Sequence, residues 1–351
     1  MKNKIKVGIL GATGAVGQRF VSLLNSHPWF EIGAVLASPR SAGKSYADAA
    51  NWFGSEPLPK KTGGMIVSDA AEFVEVDFVF SGLDASVAGE IEEAWARRGI
   101  PVISNARNFR MNPDVPLLVP EVNPDHVVLI DRQQYSEDGF IVTNPNCSTV
   151  GLVSALKPLH DAFGLEAIHV TTLQAVSGAG YPGVSSLDIM GNVVPFIGGE
   201  EEKIATEPLK LFGQLTKSGV DLLDIPISSQ CNRVPVIDGH TLSISVRLKG
   251  NPDVEEVTDA FRSFESPLRA LNLPSAPAEF IHVVEAESGP QPSRHVNLGD
   301  GMTVSVGRIK NCPNFGIRFV ALVHNTIRGA AGGAILNAEY LVRKYYLGSG
   351  V

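Results

Sequence analysis

Ile5 to Leu10 is a short apolar run rich in branched side chains that stops at Gly11, and Val16 to Leu24 then carries apolar residues at helical spacing. The pattern predicts strand, glycine turn, helix. Further strands are expected at Glu31 to Ala37, Val76 to Phe80 and Pro101 to Ser104, with a helix around Ala88 to Arg98. Strands alternating with helices imply a parallel sheet with right-handed crossovers, the α/β class. Near residue 143 the texture changes. Thr143-Asn144-Pro145-Asn146 is a turn cluster, and Ser148 to Phe163 reads as a helix with Val150, Val153, Leu156 and Leu159 on one side. Ala167 to Gln174, Leu242 to Leu248, Ala278 to Glu285 and Thr303 to Lys310 then read as longer strands between long loops, a mixed α+β second domain. Gly329 to Tyr346 reads as a closing helix that returns to the first domain. Residues 1–147 with 326–351 are therefore expected to form one domain and 148–325 the other.

Length agrees with that division, because 351 residues exceed one ordinary core. A formal net charge of −8 excludes a nucleic-acid backbone or an anionic membrane as partner of the surface as a whole, so an anionic ligand needs a local basic pocket. The three cysteines, Cys147, Cys231 and Cys312, lack CxxC or Cys/His ligand spacing. Neither a disulfide framework nor a metal site is expected. Without an apolar leader or an 18-residue apolar run, the chain reads as soluble and cytoplasmic.

The first strand-to-helix turn, Gly11-Ala12-Thr13-Gly14-Ala15-Val16-Gly17, lets backbone approach a pyrophosphate at a helix N-terminus, with Gly11, Thr13, Gly14, Ala15 and Val16 as contacts. The second strand chooses the cofactor. It ends in Ser38-Pro39-Arg40-Ser41, without the acidic residue that takes ribose hydroxyls in NAD enzymes, and Ser38, Arg40 and Ser41 suit a 2′-phosphate. NADP(H) is expected, with Lys44 as a further contact.

Cys147 follows Asn-Pro-Asn at a helix start, where N–H groups and the helix dipole are expected to favour its thiolate. A thiolate attacking a carbonyl needs a proton-handling group, and His240, expected to be exposed by the turn at Gly239, is the best of eight histidines. Arg233, seven residues before it, suits a bidentate grip on a small carboxylate.

Gly11 to Gly17, Asn144-Pro-Asn-Cys-Ser-Thr149, Gln174-Ala-Val-Ser-Gly-Ala-Gly180, Gly198-Gly-Glu-Glu-Glu-Lys203 and Arg233 to His240, in that order, resemble aspartate-semialdehyde dehydrogenases over nearly the whole chain. Ser38-Pro-Arg-Ser-Ala-Gly43 and Val194 to Lys203 resemble the archaeal and fungal branch. The resemblance implies a Rossmann-type doubly wound parallel sheet with a second α+β catalytic and dimerisation domain, in a homodimer or homotetramer. It implies NADPH-dependent, reversible reduction of aspartyl phosphate to aspartate semialdehyde and phosphate, in synthesis of lysine, methionine and threonine. It makes Cys147 the nucleophile, His240 the acid/base, and Gln174 the group that orients the intermediates. Arg233 would hold the substrate carboxylate and Glu200 its ammonium, with Glu201 and Glu202 as alternative registers. Arg110 and Lys203 would hold phosphate, helped by Asn105. Ser81, Gly82, Ser177, Gly178 and Asn325 would line the nicotinamide end of the cleft.

Malonyl-CoA reductase resembles the same branch, but its substrate has no ammonium group to engage Glu200. N-acetylglutamyl-phosphate reductase leaves Glu200 equally unexplained. A non-catalytic NADP-binding sensor would have no use for Cys147, Gln174, Arg233 and His240 together.

Overall fold

The computed structural model describes residues 4–344, 346 and 347. Six strands form the first sheet: β1 (Ile5–Leu10), β2 (Phe30–Ala37), β3 (Ser68–Asp69), β4 (Phe78–Ser81), β5 (Val102–Ser104) and β6 (Ile141–Thr143). Their order is β3-β2-β1-β4-β5-β6, every pairing is parallel, and the sequence of strands reverses its direction of growth between β1 and β4. Ligands bind at such a reversal, beyond the carboxyl ends of the strands. Successive side chains leave opposite faces of a strand, so a sheet covered on both sides needs continuous apolar runs. Phe78 and Phe80 of β4 accordingly join the core beneath α1 (Ala15–Leu24), while Val79 joins the core with Trp95 of α4 (Ala85–Arg97). Between these helices lie the single turns α2 (Tyr46–Ala49) and α3 (Lys60–Gly63).

Helix α5 (Cys147–Ala162) leads into the second sheet, which contains β7 (Leu165–Gln174), β10 (Ile227–Arg233), β11 (His240–Leu248), β12 (Ile281–Val284), β13 (Val304–Cys312) and β14 (Gly316–Val323). Its order is β10-β7-β11-β14-β13-β12, with parallel pairs at both edges and antiparallel pairs between. The ribbon β8 (Gln214–Thr216) and β9 (Gly219–Asp221) stands apart. Helices α5 and α8 (Val254–Ser263) cover one face of this sheet through Leu152, Leu156, Val257 and Phe261. Along the other face Leu173, Ser243 and Arg247 remain exposed, alternating with buried Thr172, Leu242 and Val246. Short helices α6 (Ser186–Ile189) and α9 (Pro292–His295), and the longer α7 (Glu200–Leu211), complete this half.

Several expectations change. Helix α8 was not anticipated, although Asp253 and Glu256 form a complete capping box at its start. The closing helix α10 (Gly332–Arg343) begins later than Gly329 and ends before Tyr346; residue 345 of that expected span lies outside the described residues. A wide π turn, Ile327–Ala331, precedes it and brings Gly329 so close to Cys147 that an added Cβ would lie 2.7 Å from the cysteine Cβ. Only glycine fits there. Among the described residues no helix is long and apolar enough to cross a membrane.

The π turn is fixed by Arg328, whose Nη1 and Nη2 donate to Glu121 Oε1 and Oε2 at 2.7 and 2.8 Å with both side chains buried. Removing one member of a buried pair leaves the other charge without compensation. Arg328→Met should lower unfolding free energy in urea by about 3–5 kcal/mol, and adding Glu121→Leu should restore most of that loss. A loss below about 1 kcal/mol would show that the pair is solvated.

Candidate functional site

Strand β6 ends at Thr143, and Asn146 then caps α5 by accepting the Ser148 and Thr149 N–H groups on Oδ1, at 3.0 and 3.3 Å. Its Nδ2 donates to both carboxylate oxygens of Glu200, at 3.0 Å each. One side chain therefore starts the helix and anchors the acid beside it. Cys147, the first helical residue, lies with Sγ 3.2 Å from His240 Nε2. The Ala175 N–H donates to the opposite ring nitrogen, Nδ1, at 3.1 Å. In that arrangement the neutral ring carries its proton on Nε2, pointing at sulfur.

The electrostatics depart from the sequence expectation in two ways. Burial, reinforced by the negative charge of Glu200, pushes the Cys147 thiol up to about 12. Asn146 already occupies the nearest helix N–H donors, so desolvation outweighs the helix terminus. His240, expected to be exposed by its glycine turn, is fully buried as the first residue of β11. Gly239, at φ +103°, gives its N–H to Asn325 Oδ1, and the chain enters the sheet with the ring facing inward. Burial first, then Arg233 and His324, pushes the imidazole down to about 3. The resting pair is thiol and neutral imidazole.

The strand pairing places the remaining groups in a row. Arg233 ends β10 in register with Gln174 at the end of β7, and His240 begins β11 on the other side of β7. Arg233 Nη1 donates to Ala175 O at 2.7 Å, and Gln174 Nε2 donates to Glu200 Oε2 at 3.2 Å. Gly178 closes over them, since a Cβ there would meet Arg233 Nη1 at 2.9 Å and His240 Cε1 at 3.1 Å. Of the three adjacent glutamates, Glu200 turns into the pocket and pairs with Lys203, while Glu201 and Glu202 are exposed. Burial raises the Glu200 carboxyl, but Lys203, Asn146 and Gln174 together hold it below the usual value.

Arg110 enters from the first sheet, with Nη2 donating to Asn105 O at 2.7 Å. Asn105 donates to Ser81 O at 3.3 Å and accepts from Asn144 Nδ2 at 3.2 Å. Cys147, His240, Gln174, Arg233, Glu200, Lys203, Arg110 and Asn105 thus gather around the start of α5, between the carboxyl ends of the first sheet's strands and the edge of the second sheet where β7 and β10 end and β11 begins. Sequence reasoning overlooked Glu207 and Lys210, both buried and both on α7. Their signal was present: Glu200, Lys203, Glu207 and Lys210 repeat at helical spacing along one stripe.

A dinucleotide fits the neighbouring cleft. A Cβ on Gly17 would lie 2.2 Å from Gly11 O, and one on Gly11, at φ +75°, would lie 2.8 Å from Gly82 O. The loop therefore packs backbone against backbone. Helix α1 starts at Gly14 without a side-chain cap or an acid in its first turn, which leaves N–H groups for an anion. Gly11, Thr13, Gly14, Ala15 and Val16 follow β1, exposed Ser38 and Arg40 with Ser41 follow β2, and Ser81 and Gly82 follow β4. Ser81, expected as a cofactor contact, is instead wholly buried: its carbonyl accepts from Asn105 and its Oγ from the Leu83 N–H, so it supports the turn from beneath. Ala15, Ser177, Tyr181, Asp238 and Thr326 line an adjoining cleft of about 450 Å³. Asn325 links Ser177 Oγ, at 2.8 Å, with the Gly239 N–H.

Cys312 provides a contrast to Cys147. Burial there is outweighed by the N–H donors of Phe315 and Asn314, which hold its thiol below the usual value. With iodoacetamide and no ligand at neutral pH, Cys312 should alkylate before Cys147, because the thiolate reacts and a raised pKa leaves less of it. The Cys147 rate should still be rising past about pH 9. Faster labelling of Cys147, levelling off below about pH 8, would contradict the uncharged pair.

The patterns described as "Semialdehyde dehydrogenase, NAD binding domain" and "Semialdehyde dehydrogenase, dimerisation domain" match residues 6–130 and 156–328. Aspartate-semialdehyde dehydrogenase of Schizosaccharomyces pombe is 51% identical over 350 residues, covering 97% of this chain and 98% of that protein. The Archaeoglobus fulgidus enzyme of the same name is 46% identical over 345 residues, covering 97% and 99%. Among solved structures, aspartate semialdehyde dehydrogenase with NADP from Candida albicans superposes with a TM-score of 0.91 at 45% identity, covering 98% of this chain and 100% of that one. These matches extend through both sheets and α5, and the chain belongs to the aspartate-semialdehyde dehydrogenase family.

Proposed function

We propose that this chain interconverts aspartyl phosphate and aspartate semialdehyde with NADP(H), through a thioester on Cys147. The observation that carries this reading is the 3.2 Å contact of Cys147 Sγ with His240 Nε2 inside a ring of Arg233, Glu200, Lys203 and Arg110. Arg233 takes the substrate carboxylate, Glu200 its ammonium, and Arg110 with Lys203 the phosphate. Glu200 is freed for the ammonium when Lys203 turns from it to the phosphate. Glu200 keeps a cationic partner throughout that exchange, so no isolated charge is left beside Cys147.

In the reductive direction, Cys147 Sγ forms a bond to the acyl carbon while the bond to phosphate breaks and the thiol proton leaves with the phosphate, giving thioester and inorganic phosphate. NADPH supplies a hydride equivalent to this carbon. His240 presents Nε2–H to the oxygen that becomes negative, and Gln174 orients the same centre beside Glu200. Breaking the carbon–sulfur bond returns Cys147 and releases the aldehyde. Ser38, Arg40 and Ser41 take the 2′-phosphate, and residues 1–147 with 326–351 form the NADP-binding unit. The open face of the second sheet, bearing Leu173 and Ser243, pairs with a second copy to give at least a homodimer.

The direct experiment mixes protein, aspartate semialdehyde, phosphate and NADP and follows absorbance of the reduced cofactor. Phosphate-dependent reduction is expected; no signal, with malonyl-CoA consumed alongside NADPH, would replace the substrate. Cys147→Ala should lower turnover by about a thousand-fold or more while NADP still binds. Persistent turnover would rule out the thioester. Arg40→Ala should weaken NADP binding about ten-fold and NAD binding far less. Equal losses with both cofactors would place the 2′-phosphate elsewhere.

A further inference from the structure

Glu207 lies on α7, seven residues beyond Glu200, and its side chain is almost fully buried. A buried carboxylate must have its oxygens satisfied or it costs several kcal/mol. The two oxygens of Glu207 are divided between two structures. Oε1 accepts from Arg110 Nη1 at 2.8 Å, and Oε2 accepts the backbone N–H of Asn146 at 2.7 Å. Arg110 belongs to the segment after β5, and Asn146 is the residue immediately before Cys147.

One turn further along α7, Lys210 Nζ donates to the carbonyls of Arg110, Asn112 and Val115 at 2.8, 2.7 and 2.8 Å. All three ammonium protons are used, and all three acceptors lie in the segment that carries Arg110. The same helix face therefore holds that segment by its backbone and its guanidinium by the side chain. Two sides of Arg110 are thereby fixed, by Glu207 at Nη1 and Asn105 O at Nη2, while the buried Nε has no partner in the structure. A guanidinium held in this manner cannot swing away, and N–H groups remain free for an anion.

We propose that Glu207 is a positioning residue that fixes the phosphate-binding guanidinium of Arg110 relative to the nucleophile's turn. This rests on the phosphate role given to Arg110 above. Glu207 touches neither substrate nor cofactor. It acts by clamping Arg110 and Asn146 in one rigid carboxylate, which sets the distance between the site of the leaving phosphate and the start of α5.

Glu207→Gln tests the idea, because the amide oxygen can still accept the Asn146 N–H while the amide nitrogen faces Arg110 without charge compensation. In the phosphate-dependent assay, KM for phosphate should rise by about ten- to a hundred-fold, the scale of a lost charge-assisted contact. KM for aspartate semialdehyde and for NADP, and kcat at saturating phosphate, should stay within about three-fold. Arg110→Leu is the control. If it leaves the phosphate KM unchanged, the phosphate role of Arg110 is wrong and the inference falls with it. If Arg110→Leu raises that KM and Glu207→Gln does not, or all constants of Glu207→Gln worsen together, the positioning role alone is overturned.

The double variant Arg110→Leu/Glu207→Gln covers the case in which Glu207→Gln folds poorly, since it leaves no unpaired buried charge. Its phosphate KM should equal that of Arg110→Leu, because both changes act through one guanidinium. Multiplied effects would overturn the proposal.

Discussion

Two carboxylates buried within one helix stripe impose the constraint that the rest of the site obeys. Glu200 and Glu207 project from α7 toward the N-terminus of α5, where neither can remain charged without several donors. Asn146, Gln174 and Lys203 satisfy the first, and Arg110 with the Asn146 N–H satisfies the second. Each of those donors also lies in the pocket around Cys147 or in the turn that presents it. Satisfying the acids and arranging the reaction centre are thus one structural problem. The cations are shared out in the resting protein, and a zwitterionic, phosphorylated ligand can re-pair them without creating an isolated charge.

At rest the Cys147–His240 pair carries no charge. A thiol pushed up to about 12 lies against an imidazole pushed down to about 3, so both are neutral near pH 7. Uncharged partners cost little to bury, so His240 can be completely inaccessible even with the Arg233 guanidinium beside it. The second layer of the site is equally economical. Ala175 fixes one ring nitrogen with its N–H and Arg233 with its carbonyl, so one peptide segment orients both the imidazole and the guanidinium. Gly329 and Gly178 then let backbone close around sulfur and imidazole where any side chain would collide.

Much of the fold was legible because parallel strands buried on both faces write continuous apolar runs, and β1, β2, β4 and β5 lie within a few residues of their expected limits. The short β6 was hidden because its last residue, Thr143, opens the turn cluster that runs to Asn146, and β14 by its position beyond a tight turn from β13. Local motifs placed Cys147 at the start of its helix. What the chain conceals is burial and pairing across distance. The turn at Gly239 looked as though it exposed His240, whereas sheet register drives that ring inward. Glu207 reaches Arg110 across 97 positions and Asn146 across 61, and no local period encodes such partners. The helical stripe from Glu200 to Lys210 suggests that these side chains act together, but only the packing of α7 against α5 says on what.

The central claim is that the acyl group passes through Cys147, and peptide mass spectrometry tests it most directly. Protein incubated with aspartate semialdehyde and NADP in the absence of phosphate should accumulate one aspartyl group as a thioester on the peptide containing Cys147. Phosphate should discharge it. An adduct on Cys231 or Cys312 instead, or full cofactor reduction with no adduct on any cysteine, would contradict the account.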